Sequence, residues 1–178
     1  MSAAPLVYAD DTIRTILSDC KRIAIVGASP KEIRPSFFVL KYLTLKGFKV
    51  FPVNPGSAGT EIFGQTCYAR LADIPEPVDM VDIFRGSDAV PGVLDEILAL
   101  RPLPKVVWMQ LGVRHQEAAR RAEEAGLTVV MDRCPKIEYA RLSGEIGWNG
   151  VNSRILSSKK PTMRAGFQSF GIVARPKP

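Results

Sequence analysis

Arg22-Ile23-Ala24-Ile25-Val26-Gly27-Ala28-Ser29-Pro30 is the stretch on which the fold turns. Ile23 to Val26 are apolar without alternation and run into Gly27, which is how a strand covered on both faces reads. Beyond the turn, residues 36–46 read as a helix, with Pro35 and Ser36 at its start and Gly47 in the position that takes a left-handed cap. On the N-terminal side, residues 12–20 place Ile13, Ile16 and Leu17 on one helical face. On the C-terminal side, apolar runs at 49–54, 80–84, 106–110 and 128–132 predict further strands. Residues 91–100, 115–125 and 137–142 predict helices between and after them.

Strand and helix alternate, and the strands are continuously apolar. That combination predicts an α/β fold, a Rossmann-like doubly wound parallel sheet of five strands in the order 3-2-1-4-5. In such a sheet ligands bind beyond the carboxyl ends of the strands, where the order reverses. The candidate site therefore falls on segments 27–36, 54–59, 84–90, 110–114 and 132–136. One domain is expected over residues 10–152, followed by a basic tail over 153–178.

Composition excludes several classes. With 178 residues, 46% of them hydrophobic and 24% charged, the chain suits one globular domain and not bulk disorder. No stretch approaches the length of a membrane span, so no membrane partner is expected. Asp10, Asp11 and Asp19 near the N-terminus argue against a secretory signal or a transit peptide. The net charge of +6 resides in Arg154, Lys159, Lys160, Arg164, Arg175 and Lys177, which leaves 18 basic residues against 18 acidic ones in the remainder. The domain is therefore neutral, and the positive face of a nucleic-acid binder is not expected. The tail reads as a solvated terminus. Cys20, Cys67 and Cys134 are odd in number and far apart, and His115 is the only histidine. Neither a disulfide framework nor a metal site follows, and free thiols in a cytoplasmic protein are expected.

The loop after the first strand is the first chemical signal. Gly27 permits a tight turn, the N–H groups of residues 28 and 29 can face an anion, and Lys31 and Arg34 add charge beside a helix N-terminus. Two readings stay open: a pyrophosphate cradle, and a turn that simply needs glycine and serine. The loop is not the G-x-G-x-x-G fingerprint, since Ser29 and Glu32 replace the second and third glycines, and it is not a P-loop. At the end of the second strand, Val53-Asn54-Pro55 lacks the acid that holds the ribose of NAD, so a nicotinamide cofactor is disfavoured.

With these segments in place, the chain resembles the YccU-like stand-alone CoA-binding proteins, which share the nucleotide-binding domain of the succinyl-CoA synthetase α-subunit. The resemblance rests on Ile25-Val26-Gly27-Ala28-Ser29-Pro30, Arg34-Pro35-Ser36 and Val53-Asn54-Pro55. It continues through Val81-Asp82-Ile83-Phe84-Arg85, Trp108-Met109-Gln110-Leu111-Gly112-Val113 and Met131-Asp132-Arg133-Cys134. It implies coenzyme A or an acyl-CoA as ligand. Gly27, Ala28, Ser29 and Arg34 would meet the CoA phosphates, and Asn54, Pro55, Phe84, Arg85 and Gln110 would line the rest of the pocket. Pro35, Ser36, Gly112 and Cys134, inside the same motifs, complete the expected set. The second domain and catalytic histidine segment of the synthetase have no counterpart here, so its ligase activity is not carried over.

No nucleophile elbow or paired acid/base motif is present, and no catalytic residue is assigned. Asp82 and Asp132 read as strand-ending carboxylates with Arg85 and Arg133 nearby, and His115 reads as a first-turn helix residue. Cys134 is the one reactive candidate, because a neighbouring Arg133 and a helix N-terminus both lower a thiol pKa; the alternative is a buried inert thiol. Two classes of function follow. One is a CoA or acyl-CoA binding module without catalysis, with a regulatory, sensing or carrier role. The other is a nucleotide-dependent or CoA-thiol redox enzyme using Cys134.

Overall fold

Ile23 and Ile25 project from one face of the first strand and Ala24 from the other, and all three are fully buried in a computed structural model, which describes residues 6–145. The elements run α1 (Asp10–Asp19), β1 (Arg22–Val26), α2 (Pro35–Leu45) and β2 (Lys49–Val53). A short antiparallel hairpin follows, β3 (Glu61–Ile62) and β4 (Gln65–Thr66). Then come β5 (Met80–Ile83), α3 (Val90–Ala99), β6 (Val106–Met109), α4 (Gln116–Glu124), β7 (Thr128–Val130) and α5 (Pro135–Ser143). The expected domain end at 152 and the basic tail 153–178 lie outside the described residues.

β2, β1, β5, β6 and β7 form one parallel sheet in that order. The α/β class and the five-stranded parallel sheet are as expected. The order is not: counting the sheet strands along the chain it is 2-1-3-4-5, where 3-2-1-4-5 was expected. The third strand pairs with the first from Ile23–Met80 to Val26–Ile83, and Asp79, just before β5, clasps the start of β1. Its carboxylate accepts from the N–H groups of Lys21 (3.1 Å) and Arg22 (2.9 Å) and from the Arg22 guanidinium (2.9 Å). β2 is therefore an edge strand, and it contains Pro52, a residue confined to edges because it has no N–H for a second ladder. Tyr68 covers that edge, donating its N–H to the Pro52 carbonyl at 2.9 Å and accepting from Asn54 N–H at 2.9 Å.

Helices cover both faces. Ile13, Leu17, Leu40, Leu43 and Tyr139 from α1, α2 and α5 fill one side of the sheet. Val90, Leu94, Ile97, Ala118 and Ala122 from α3 and α4 fill the other. Trp108 is fully buried on the first side, its indole N–H donating to the Arg133 carbonyl at 2.8 Å. No described helix is long and apolar enough to cross a membrane, all three cysteines are free and buried, and no metal-ligating cluster exists among the described residues.

Candidate functional site

The strand order reverses at β1 and β5, so the crevice where a doubly wound sheet takes its ligand opens above the carboxyl ends of these two strands. Gly27 sits there with φ +88°, and a Cβ on it would lie 2.5 Å from the Phe84 carbonyl oxygen and 2.9 Å from Cδ of Arg85. Only glycine lets the β1–α2 loop pass this close to the chain leaving β5.

The loop is held by its own hydrogen bonds, and this corrects the expected donor set. The N–H groups of Gly27 and Ala28 donate to the Val53 carbonyl at 2.8 and 3.3 Å. Ser29 N–H donates to Ser36 Oγ at 3.1 Å, so the N–H groups of 28 and 29 are already engaged. Asn54 is engaged twice, giving Nδ2 to the Ala28 carbonyl (2.7 Å) and accepting Gly56 N–H on Oδ1 (3.0 Å). Pro55 opens the short turn over Pro55–Ser57 and is exposed. Within the loop, the N–H groups of Glu32 and Ile33 have no partner among the described residues. Beside them Lys31, Arg34 and Arg85 are exposed and form no ion pair among the described residues.

Adjoining this loop is a cavity of about 640 Å³ between the first turns of α2 and α5. Of the expected residues, Pro35, Phe84, Arg85, Gln110, Gly112 and Cys134 line it. Gly27, Ala28, Ser29, Arg34, Ser36, Asn54 and Pro55 do not line it; they build or flank the loop beside it. The mouth is apolar in a way the sequence reading missed: Ile33, Phe38, Leu111 and Ile137 stand exposed around it. The available signal was Ile33 and Leu111, large apolar side chains inside loop segments, two residues before Pro35 and one before Gly112.

The lining residue Gln110 bonds a buried carboxylate that does not itself line the cavity. Asp82 is fully buried mid-sheet, in register with Ile25 and Trp108, and both its oxygens accept from Gln110 Nε2 at 3.0 and 3.1 Å. It is neither a strand end nor a partner of Arg85. Burial raises its pKa to about 8, which the Gln110 amide only partly offsets. Burial also raises the Cys134 thiol, with the Asp82 carboxyl adding to the rise; the N–H groups of Ile137 and Lys136 oppose it without reversing it. The expected lowering of this thiol is therefore corrected, because desolvation at the helix start outweighs the helix N-terminus.

Asp132 holds the lining residue Gly112 from outside the cavity. It adopts φ +56°, accepts Gly112 N–H at 2.7 Å and pairs with Arg114 (Nε, 3.1 Å) in place of Arg133. Those bonds hold its carboxyl below the usual range, the Gly112 N–H contributing most. His115 caps α4, its Nδ1 accepting Ala118 N–H at 3.1 Å.

Residues 21–140 match the family model of the CoA binding domain. The chain belongs to this family. An uncharacterized protein of Bacillus subtilis, YneT, is 38% identical over 128 residues, which cover 72% of this chain and 92% of YneT. A Thermus thermophilus protein of known structure is 44% identical with a TM-score of 0.71, over 75% of this chain and 98% of that one. An ADP-forming acetate–CoA ligase of Methanocaldococcus jannaschii is 36% identical over 76 residues, but these cover 43% of this chain and only 10% of the ligase. The relatives matched along most of their length are thus small proteins like this CoA-binding domain, and the ligase shares a fraction of itself.

Proposed function

We propose that the protein binds coenzyme A or an acyl-CoA at the β1/β5 switch point without catalysing a reaction, in a regulatory, sensing or carrier role. The observation that carries this reading is one crevice with two chemistries. N–H groups of Glu32 and Ile33 without a partner, and Lys31, Arg34 and Arg85 without an ion pair, among the described residues, suit the phosphates. The adjoining cavity between two helix starts suits the pantetheine arm. Membership of the family supports the choice of ligand, and Asn54 at the end of β2 argues against NAD. Calorimetric titration of the purified protein with CoA and with NAD tests it. Saturable CoA binding with no NAD signal is expected, and the reverse result overturns the reading.

A second reading keeps Cys134 in view, because it lies on the cavity floor where a CoA thiol would arrive. Thiol–disulfide exchange with CoA disulfide would release one CoA thiol and leave a Cys134–CoA mixed disulfide. The raised thiol pKa argues against it at neutral pH. Incubation with CoA disulfide and intact-mass analysis of wild type and Cys134→Ser decides the matter. No adduct at pH 7 is expected, and an adduct of CoA mass lost in Cys134→Ser would establish the exchange.

A further inference from the structure

A buried amide seldom keeps a hydrogen-bonding atom unmatched, because an unpaired polar group away from water costs more than the bond it lacks would contribute. Gln110 follows the last residue of β6 and lines the cavity while only 6% exposed. Its backbone is satisfied, the N–H donating to the Ile83 carbonyl at 3.3 Å and the carbonyl accepting from Val113 N–H at 2.9 Å. Its side-chain nitrogen is satisfied as well. Nε2 donates to both oxygens of Asp82, and the same side chain acts as a donor to the Cys134 thiol, working to lower its pKa. That leaves Oε1, which no donor among the described residues reaches. Among the described residues, Thr44 Oγ1 is the one side-chain polar atom sealed from open space without a partner. Gln110 Oε1 is therefore not sealed, and the space it opens onto is the cavity its residue lines.

Asp82 sets this orientation from behind. It is fully buried between Ile25 and Trp108 in register, and it does not line the cavity. The nitrogen and oxygen of an amide share one planar group, so a carboxyl that takes the nitrogen turns the oxygen away from itself. A lone acceptor on a cavity wall asks its occupant for a donor. A CoA arm offers two amide N–H groups and, when unacylated, a thiol. The amide N–H is the stronger donor, and S–H is a weak one. Two methylene groups separate the last amide nitrogen of the arm from its sulfur. An amide held at Gln110 thus leaves the sulfur beside Cys134, which the Gln110 side chain also touches.

We propose that Gln110 Oε1 accepts an amide N–H of the pantetheine arm, and that Asp82 is the positioning residue that turns this oxygen towards the arm. This rests on the CoA reading above and names the group that recognises the arm. The contact reads the arm and not what its thiol carries, so CoA and acetyl-CoA share it and ADP, which has no arm, does not. The test is titration of the full chain with these three ligands in wild type, Gln110→Met, Asp82→Leu and the double variant, whose new side chains nearly match the old ones in shape. Gln110→Met should weaken CoA and acetyl-CoA alike by about tenfold and leave ADP unchanged. Asp82→Leu should weaken both by about threefold or more, because Gln110 loses its hold, and should add nothing to Gln110→Met in the double variant. The double variant leaves neither buried polar group without its partner, so it carries the test where a single variant melts too low to titrate. Unchanged CoA affinity in folded Gln110→Met overturns the proposal while leaving the CoA reading intact. A loss for CoA that acetyl-CoA does not share also overturns it and gives the contact to the thiol. An equal loss for ADP overturns it by making the effect one on the fold. An Asp82→Leu effect that persists in the Gln110→Met background overturns the positioning role. Absence of any CoA binding in wild type overturns the CoA reading itself, so the two failures are distinct.

Discussion

Asp82 carries an ionisable group where the sheet offers it one amide and no cation, and that has a measurable consequence. Its folded pKa is raised to about 8, above the ordinary value of 3.8 that the unfolded chain shows. The folded state therefore holds a proton that the unfolded state has lost, and stability falls as pH rises from about 4 to about 8. Asp82→Asn keeps an oxygen for Gln110 and removes the ionisation. Its melting temperature should exceed that of wild type by at least about 5 °C at pH 8, with the gap closing towards pH 4. A gap independent of pH would show that Asp82 is ionised throughout. Arg34 tests the ligand side. It stands exposed at the N-cap of α2 with no ion pair among the described residues. Arg34→Ala should weaken CoA binding by about 1.5–3 kcal/mol, the range for a hydrogen bond to a charged group. Lysine should restore only part, because it lacks the planar fork. Unchanged affinity with an unchanged melting temperature would remove Arg34 from the site. Both residues show what is readable at this scale. Gly27 is legible because a tight turn after a buried strand has few other solutions. The engagement of the 28 and 29 N–H groups is not, because it depends on Val53 and Ser36 arriving from elsewhere. Cys134 is half legible: the sequence places it at a helix start, but its desolvation comes from the fold around it.

Between elements, one carboxylate clasps the two central strands at their starts. Asp79 joins the start of β5 to the start of β1 through two backbone N–H groups and the Arg22 guanidinium. Burial works to raise its pKa, but the Arg22 side chain and the N–H groups of Arg22 and Lys21 outweigh burial and hold it below the usual carboxylate range. The stability it contributes is thus present above the ordinary carboxylate pKa and is lost as pH falls through the lowered value. Asp79→Ala should destabilise the fold by about 1.5–3 kcal/mol at pH 7, measured by urea unfolding, with a smaller difference in strong acid. An Asp79→Ala protein as stable as wild type would leave the strand order without this clasp. Helices and strands were legible because their patterns are local: the apolar runs and the Pro and Gly punctuation lie within each element. Strand order was not, because it shows only in contacts between segments far apart in sequence, such as Asp79 with Arg22 and Tyr68 with Pro52. Pro52 was nevertheless a usable signal, since a proline inside an otherwise buried strand asks for an edge. The order 3-2-1-4-5 would have put it between two ladders.

In the whole molecule, the cavity has one wall in α2 and another in α5, and these walls are tied together at the far end. Tyr42 on α2 donates its hydroxyl to Glu145 at 2.7 Å, and Lys46 pairs with the same carboxylate. Arg141 on α5 bridges Asp10 of α1 (2.8 Å) and Glu138, and Arg14 donates to the Leu142 carbonyl at 3.3 Å. A ligand seated between the two helix starts therefore joins two walls that are already tied at the other end. Ligand binding should then appear as global stabilisation. At a ligand concentration of 100 times Kd, mass action adds about 2.7 kcal/mol to unfolding, which for a chain of this size raises the melting temperature by about 5–10 °C. CoA should produce this shift and NAD none, since Asn54 leaves the ribose of NAD without its acid. The shift should grow with the logarithm of CoA concentration beyond saturation, which separates specific binding from a salt effect of the phosphates. A shift that NAD reproduces, or one that inorganic pyrophosphate alone gives in full, would reduce the crevice to a general anion site and remove the role of the cavity between α2 and α5.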